Sequence, residues 1–140
     1  MKRILVALDT SERAPSVLEA ARKIAASNPD CKLVLFHSVG LPPELPPSIY
    51  SFADGDLYEV LMKNARVALD KLVASVPTAM VERVEVILGV AWQAICREAK
   101  ERDVDLIVLG SHGYSGIDRL LGTTAAKVVN HADRSVLIVR

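Results

Sequence analysis

Short apolar runs alternate with amphipathic segments along this chain of 140 residues. Four of the runs are continuous and rich in valine, isoleucine and leucine, a pattern typical of strands that are buried on both faces of a parallel sheet. In a fifth run Val84, Val86 and Leu88 alternate with Glu85 and Ile87, which is typical of a half-exposed edge strand. The sequence therefore predicts five strands, at residues 4–8, 33–36, 84–88, 106–109 and 136–139.

Between these runs, apolar residues recur at the spacing of one helical face. Such faces occur at residues 14–25, 57–72, 91–99 and 125–132. Pro15 is compatible with a helix only in its first turn, and Pro77 ends the second helix. Strands and helices thus alternate from β to α along the whole chain. This order predicts an α/β fold, a three-layer α/β/α sandwich around a five-stranded parallel sheet, with one domain over residues 1–140.

Residues 40–55 interrupt this regular alternation. Pro42, Pro43, Pro46 and Pro47 lie close together there, and such a cluster excludes both a helix and a central strand. We therefore predict a long loop or lid after the second strand.

The composition limits both the core and the class of partner. Hydrophobic residues make up 51% of the chain and aromatic residues only 4%, so we expect a core of Ala, Val, Leu and Ile. Seventeen basic residues balance seventeen acidic ones, which provides no basic surface for nucleic acid or for an anionic membrane. No apolar run reaches membrane-spanning length, and the N-terminal run is too short for a signal peptide.

The two cysteines, Cys31 and Cys96, have neither metal-site nor redox-motif spacing. We expect both to be reduced, buried and structural, in a cytoplasmic protein that has no metal site of its own.

The segment that carries chemistry begins where the fourth predicted strand ends, at Gly110. A loop with Ser111, His112 and Gly113 follows, and a helix begins at Gly122-Thr123-Thr124. Glycines let the backbone approach a ligand closely, and a helix N-terminus offers unpaired N–H groups and a partial positive charge to an anion. The two threonines add hydroxyl donors. This combination predicts a phosphate-binding site that needs no lysine.

Each of these residues also has a purely structural interpretation. Gly110 and Gly113 are typical of a turn, and Thr123 is a candidate N-cap for the last helix. Asp9, at the end of the first strand, is likewise a candidate cap for the first helix, as are the two hydroxyl residues after it. The order of strand, glycine loop and helix favours phosphate binding over these alternatives.

The same segment resembles the ATP-binding signature of universal stress proteins, which is Gly, two residues, Gly, about nine residues, then Gly followed by Ser or Thr. Here the pattern is Gly110-Ser111-His112-Gly113, eight residues, then Gly122-Thr123, so the second gap is one residue shorter. The opening MKRILVALDTSE and the closing VVNHADRSVLIVR also resemble this family, and the resemblance extends over essentially the whole chain.

The resemblance implies a Rossmann-like strand order of 3-2-1-4-5 and a site for ATP with magnesium. In that site Asp9 would lie near the ribose and the metal-bound phosphates, Ala7 beneath the base, and the backbone of Ser38 beside the adenine edge. The ribose and phosphates would be held by Gly110, Ser111, His112, Gly113, Gly122, Thr123 and Thr124. The implied order supports this placement, because open α/β sheets bind ligands where neighbouring strands, here the first and fourth, send their helices to opposite faces.

As a function, the resemblance implies a nucleotide-binding regulatory or sensor module of the stress response, without assigned catalytic residues. Weak ATP hydrolysis or adenylyl transfer stays open as an alternative. Efficient chemistry of that kind needs a positioned base and a cation over the phosphates, for which Arg119 is the nearest candidate. A nucleotide-independent dimeric adaptor is a third hypothesis. A flavin-binding protein, which needs aromatic residues around the ring, is a fourth.

The fifth predicted strand, residues 136–139, is unbroken and apolar, yet the implied order places it at an edge of the sheet. Exposed hydrophobic edges invite pairing with another chain. The opposite edge carries Glu82, Arg83 and Glu85, which resist such pairing. We therefore predict a homodimer through the C-terminal strand, as the resemblance also implies, and leave a further protein partner open.

Overall fold

The computed structural model describes residues 1–40, 56–111 and 121–140. The strands are β1 (Arg3–Ala7), β2 (Lys32–Val39), β3 (Val81–Leu88), β4 (Leu106–Gly110) and β5 (Ser135–Val139). The helices are α1 (Ala14–Ala26), α2 (Asp56–Val73), α3 (Ala91–Glu101) and α4 (Thr123–His131), and a 3₁₀ turn at Thr78–Met80 precedes β3. The predicted alternation is confirmed. The loop or lid predicted for residues 40–55 lies outside the described residues apart from Gly40.

All five strands pair in parallel in one sheet of order β3-β2-β1-β4-β5, which confirms the predicted order. In the central strand, Ile4 aligns with Leu33 of β2 on one side and with Leu106 of β4 on the other. The chain moves outward from β1 to β3 and then returns to the opposite side of β1. Because parallel crossovers are right-handed, this reversal places α1 and α2 on one face of the sheet and α3 and α4 on the other.

Successive residues of the central strand belong to two different hydrophobic cores. Ile4 and Val6 pack in the core shared with α1 and α2, whereas Leu5 packs in the core shared with α3 and α4. Among the largest fully buried side chains of the described residues, Phe36 is the one aromatic ring, and the others are Val, Leu and Ile. The expected aliphatic core is therefore confirmed, and full burial of each such side chain contributes about 1.5–3 kcal/mol.

Both cysteines are free thiols, as predicted. Burial raises the pKa of the Cys31 thiol and of the Cys96 thiol, so both favour the protonated, less nucleophilic form. Cys31 is buried, but the expectation of full burial is wrong for Cys96, which is only half-buried because it lies at the margin of the core beneath α3.

The amino ends of the strands are joined by a carboxylate that precedes β4. Oδ2 of Asp105 accepts hydrogen bonds from the backbone N–H groups of Lys2 and Arg3, at 2.6 and 2.9 Å. The Arg3 guanidinium in turn donates to both carboxylate oxygens of Glu82 at the start of β3. These contacts fix the start of the central strand relative to its neighbours.

A second ionic cluster lies between α3 and β3. Glu98 is 6% exposed, and its Oε2 accepts a hydrogen bond from Nε of Arg102 at 2.9 Å. The same guanidinium also pairs with Glu85. A buried carboxylate needs such a partner, because an unpaired buried charge is strongly destabilising.

No helix in the described ranges is long and apolar enough to span a membrane.

The Asp105 contacts predict a pH-dependent contribution to stability. Hydrogen bonds from the Arg3 and Lys2 backbone hold the pKa of Asp105 below its usual range. The stabilisation is therefore present above the unfolded-state pKa of about 3.9 and is lost as the pH falls through the lower folded-state pKa. We expect Asp105→Ala to lower the free energy of unfolding at pH 7, because it removes two charge-assisted hydrogen bonds. The expected loss is only about 1–2 kcal/mol, because solvent screens this exposed carboxylate.

Urea denaturation from pH 7 downward measures this difference. The gap between the wild type and Asp105→Ala should narrow below about pH 4. Asp30→Ala is the control, because the Asp30 carboxylate is exposed and has no hydrogen-bond partner in the described ranges. A gap that stays constant down to the lowest accessible pH would contradict the assignment.

Candidate functional site

A cavity of about 130 Å³ opens at the carboxyl ends of β1 and β4, where the neighbouring strands send their helices to opposite faces. Open parallel sheets bind ligands at this position. Five residues predicted from the sequence share the cavity. The full lining is Ala7, Leu8, Asp9, Phe36, His37, Ser38, Leu109 and Gly110 from the strand ends, with Ala91, Ile95, Thr124 and Ala125 from α3 and α4.

The N-termini of α3 and α4 both open on this cavity, and neither has a side-chain cap. In α3 the first intrahelical hydrogen bond runs from Ala94 N–H to the Val90 carbonyl, and in α4 from Ala126 N–H to the Gly122 carbonyl. The three N–H groups that precede each of these bonds have no acceptor within their own helix. Their partial positive charges make the space between the two helices favourable for an anion.

Backbone hydrogen bonds tie the start of the glycine loop to β5 and to α4. Ser111 N–H donates to the Val139 carbonyl at 2.8 Å, and the Ser111 carbonyl accepts from Gly122 N–H at 3.0 Å. Ser111 is 7% exposed, and its hydroxyl has no hydrogen-bond partner in the described part of the chain. A buried hydroxyl without a partner costs free energy, but Ser111 is not among the residues that line the cavity.

Asp9, two residues after the end of β1, is held by a local turn and does not cap α1. Its Oδ1 accepts hydrogen bonds from the backbone N–H and the hydroxyl of Ser11, at 2.9 and 2.6 Å. The N-cap position of α1 is Arg13, which makes no side-chain cap. The capping hypothesis for Asp9 is therefore wrong, because Ser11 engages the carboxylate before the helix begins. Oδ2 of Asp9 has no partner among the described residues.

Side-chain hydrogen bonds fix the end of β2 beside the cavity. The Ser38 hydroxyl donates to the Gly89 carbonyl at 3.1 Å, and His37 Nδ1–H donates to the Leu8 carbonyl at 2.7 Å. Gly89 N–H also donates to the Val39 carbonyl at 3.0 Å. Gly89 has φ +155°, a conformation that other residues rarely adopt. The connection from β3 to α3 is thereby held against the end of β2.

The two threonines at the start of α4 have different surroundings. Thr124 lines the cavity, whereas Thr123 is exposed and occupies the first helical position. Gly122, which is buried, is the N-cap residue. The interpretation of Thr123 as the N-cap is therefore wrong, because the helix begins one residue earlier than that role requires. His112, Gly113 and Arg119 lie outside the described residues.

Ala91 and Ile95 of α3 form a wall of the cavity that was not predicted from the sequence. A signal was present, because Gly89 follows a strand and directly precedes a helical face, as Gly122 precedes α4. No group of three or more His, Cys, Asp or Glu side chains suited to a metal occurs in the described ranges. Asp9 alone still fits magnesium held mainly by phosphates, which needs only one or two protein carboxylates.

The only tryptophan of the chain begins α3 and packs against the end of α4. Its ring lies 4.5 Å from the His131 ring, centroid to centroid, and Lys127 Nζ lies 5.4 Å from the Trp92 ring centre. This contact joins the two helices whose N-termini open on the cavity.

The fold and the site together define a Rossmann-like α/β protein with two helix N-termini at its switch-point cavity. The family model described as "Universal stress protein family" matches residues 1–140. The chain belongs to the universal stress protein family.

Relatives and solved structures agree with this assignment. Universal stress protein A homolog 1 from Coxiella burnetii is 33% identical over 139 residues, 99% of this chain and 95% of that protein. The structure of protein MJ0577 from Methanocaldococcus jannaschii has TM-score 0.81 at 22% identity, over 99% of this chain and 94% of the other. The universal stress protein from Archaeoglobus fulgidus in complex with dAMP has TM-score 0.61 at 22% identity, over 100% and 98%.

The backbone conformation of Gly89, which precedes the α3 wall of the cavity, is tested by substitution. A Cβ at Gly89 would meet no heavy atom within 4 Å, so the cost of Gly89→Ala is backbone strain at φ +155° and not a clash. We expect a loss of about 1 kcal/mol or more in the free energy of unfolding. Gly40→Ala is the matched control, because its Cβ would also meet nothing and no positive φ is found there. Equal urea midpoints for the two variants would contradict this account.

Proposed function

We propose that this protein binds an adenine nucleotide, with ATP and magnesium as the physiological form, in the cavity between β1 and β4. The observation that carries the proposal is the pair of uncapped helix N-termini, of α3 and α4, that open on that cavity. Two such termini provide a preorganised electropositive space for a phosphate group without any lysine or arginine. The dAMP complex of the Archaeoglobus fulgidus relative supports the same class of ligand.

The lining divides the cavity into an apolar part and a polar part. Ala7, Phe36, Ile95 and Leu109 provide an apolar surface, which fits the face of a purine ring. Thr124 and the free N–H groups at the start of α4 fit the phosphates, and the free Oδ2 of Asp9 fits a ribose hydroxyl or a phosphate-bound magnesium ion. Magnesium would neutralise phosphate charge at that end of the site.

We propose a regulatory role in the stress response and not efficient catalysis. Phosphoryl transfer needs a positioned base and a cation over the reacting phosphate, and among the described residues no lysine or arginine lines this cavity. A bound nucleotide would instead stabilise one arrangement of α4, as a sensor module requires. Two free thiols fit a reducing, cytoplasmic location.

Nucleotide binding is tested by thermal unfolding and calorimetry. ATP with magnesium should raise the melting temperature, because a ligand at a hundredfold excess over Kd stabilises the native state by about 2.7 kcal/mol. Thr124→Val should weaken binding about five- to tenfold, since it removes one hydroxyl hydrogen bond at nearly constant volume. Thr78→Val, at an exposed threonine far from the cavity, is the control. No thermal shift and no heat at millimolar ATP would refute the proposal.

We also propose that the protein forms a homodimer through β5. This strand ends the sheet on the side of β4, and Leu137 in its middle is 36% exposed. The opposite edge, β3, carries Glu82 and Glu85, which are paired with arginines of the same chain. The apolar edge is therefore β5, and antiparallel pairing with a second copy across a two-fold axis would bury it.

The dimer is tested by sedimentation of a variant that places a charge on this edge. Leu137→Lys should convert the dimer to a monomer with little loss of stability, because the residue is partly exposed. Val60→Lys is the matched control, since Val60 lies on α2 and is 52% exposed. A wild-type protein that sediments as a monomer at tens of micromolar would refute the proposed interface.

A further inference from the structure

A second cavity, of about 230 Å³, lies on the other face of the sheet, between the start of α1 and the middle of α2. It meets the first cavity at Asp9 and His37, which line both. Its walls are otherwise mostly apolar. The apolar residues are Ala14, Pro15, Ala65, Ala68, Leu69 and Leu72.

The charged residues that line this second cavity in the described part of the chain are both acidic. Asp9 and Glu12 contribute carboxylates, and neither lysine nor arginine is among the described lining residues. Oδ2 of Asp9 and the carboxylate of Glu12 have no partner in the described part of the chain. The cavity thus combines an apolar interior with unpaired negative charge, which complements a cation and disfavours an anion.

The N-terminus of α1 borders this cavity. It does not offset the negative charge of Asp9 and Glu12 with free N–H groups of the kind found at the N-termini of α3 and α4. Ala14 N–H donates to the Ser11 carbonyl, and the N–H groups of Ser16 and Val17 donate to the Arg13 carbonyl. Pro15 has no N–H. The first-turn donors of α1 are therefore used or missing, and the N-terminus offers an anion no free hydrogen bond. The two cavities consequently differ in the sign of the ligand charge that they favour.

We propose that this second cavity binds a small apolar amine, with its hydrocarbon body between α1 and α2 and its ammonium group beside Asp9 and Glu12. The size supports a ligand of about nine non-hydrogen atoms, since a dry cavity of about 150 Å³ in another protein accommodates benzene. His37 can assist, because its Nδ1–H is used by the Leu8 carbonyl and a neutral ring then leaves Nε2 as an acceptor for an ammonium N–H.

The probe is 2-phenylethylamine, compared with 2-phenylethanol, which has the same shape and no charge, and with phenylacetate, which is an anion. Titrations at pH 7 follow the backbone amide signals of Ser11, Ala65 and Leu69 by NMR. We expect the amine to bind about fivefold more tightly than the alcohol, and phenylacetate to bind most weakly. The advantage of the amine should decrease as salt is added, because both carboxylates are exposed.

Two variants separate the roles of shape and charge. Ala68→Leu fills the cavity from an exposed helix position and should weaken both the amine and the alcohol at least tenfold. Ala74→Leu, at an exposed alanine outside the cavity, is its control. Glu12→Gln should weaken the amine about twofold and leave the alcohol unchanged. Glu59→Gln on the exposed surface of α2 is the control for charge.

Equal affinities for the amine and the alcohol, or binding that Ala68→Leu does not affect, would overturn the proposal. Failure of the whole probe series to shift these amide signals would overturn it as well. The two sites are tested separately by titrating each ligand alone, because Ala68 and Glu12 do not line the first cavity, whereas Asp9 lines both. If the wild-type protein binds ATP but not the amine, only the amine proposal is refuted. If it binds the amine but not ATP, only the nucleotide proposal is refuted.

Discussion

The parallel pairing of β1 with β4 is the contact on which the arrangement of the molecule depends. Residues 4–7 of β1 align with 106–109 of β4, and at this pair the chain reverses the direction in which strands are added to the sheet. The reversal sends α1 to one face and α4 to the other, so the carboxyl ends of the two strands are left uncovered between them. The first cavity lies at this edge because neither helix layer can close over it, and the second adjoins it at Asp9 and His37.

The electrostatic character of each cavity follows from how its helices begin. In α3 and α4 the N-cap residues are Val90 and Gly122, which have no side-chain oxygen, and their first N–H groups remain available. In α1 a tight turn through Ser11 and Pro15 uses or removes the same groups before they reach the cavity. Among the described residues, the first cavity therefore offers helix N-termini to an anion, whereas the second adds the Glu12 carboxylate to that of Asp9, which lines both cavities. The net formal charge of the chain is zero.

The fold was predictable because the signals that set it are local and repeated. Continuous apolar runs such as residues 4–8 are typical of strands with both faces covered, and Gly110, the first glycine of the predicted loop, lines the cavity. The contribution of α3 was harder to predict, because Ala91 and Ile95 are ordinary core-type residues that acquire a role only through the sheet order. The hydrogen-bond partner of Asp9 was also hard to predict from the sequence. Three neighbouring oxygen-bearing side chains compete for one turn, and small differences in backbone angle decide among them.

The bond from Ser111 N–H to the Val139 carbonyl joins the ligand edge of the protein to its outermost strand. The carbonyl of Ser111 is in turn bound to Gly122, so a single residue connects β5 to the start of α4. A molecule that reorients α4 from one side, and a chain that pairs with β5 from the other, would act on the same residue. Thermodynamic linkage then requires that each of them changes the affinity of the other by the same factor. In a two-fold assembly, a change at Ser111 would reach both the start of α4 and the strand proposed to face the neighbour.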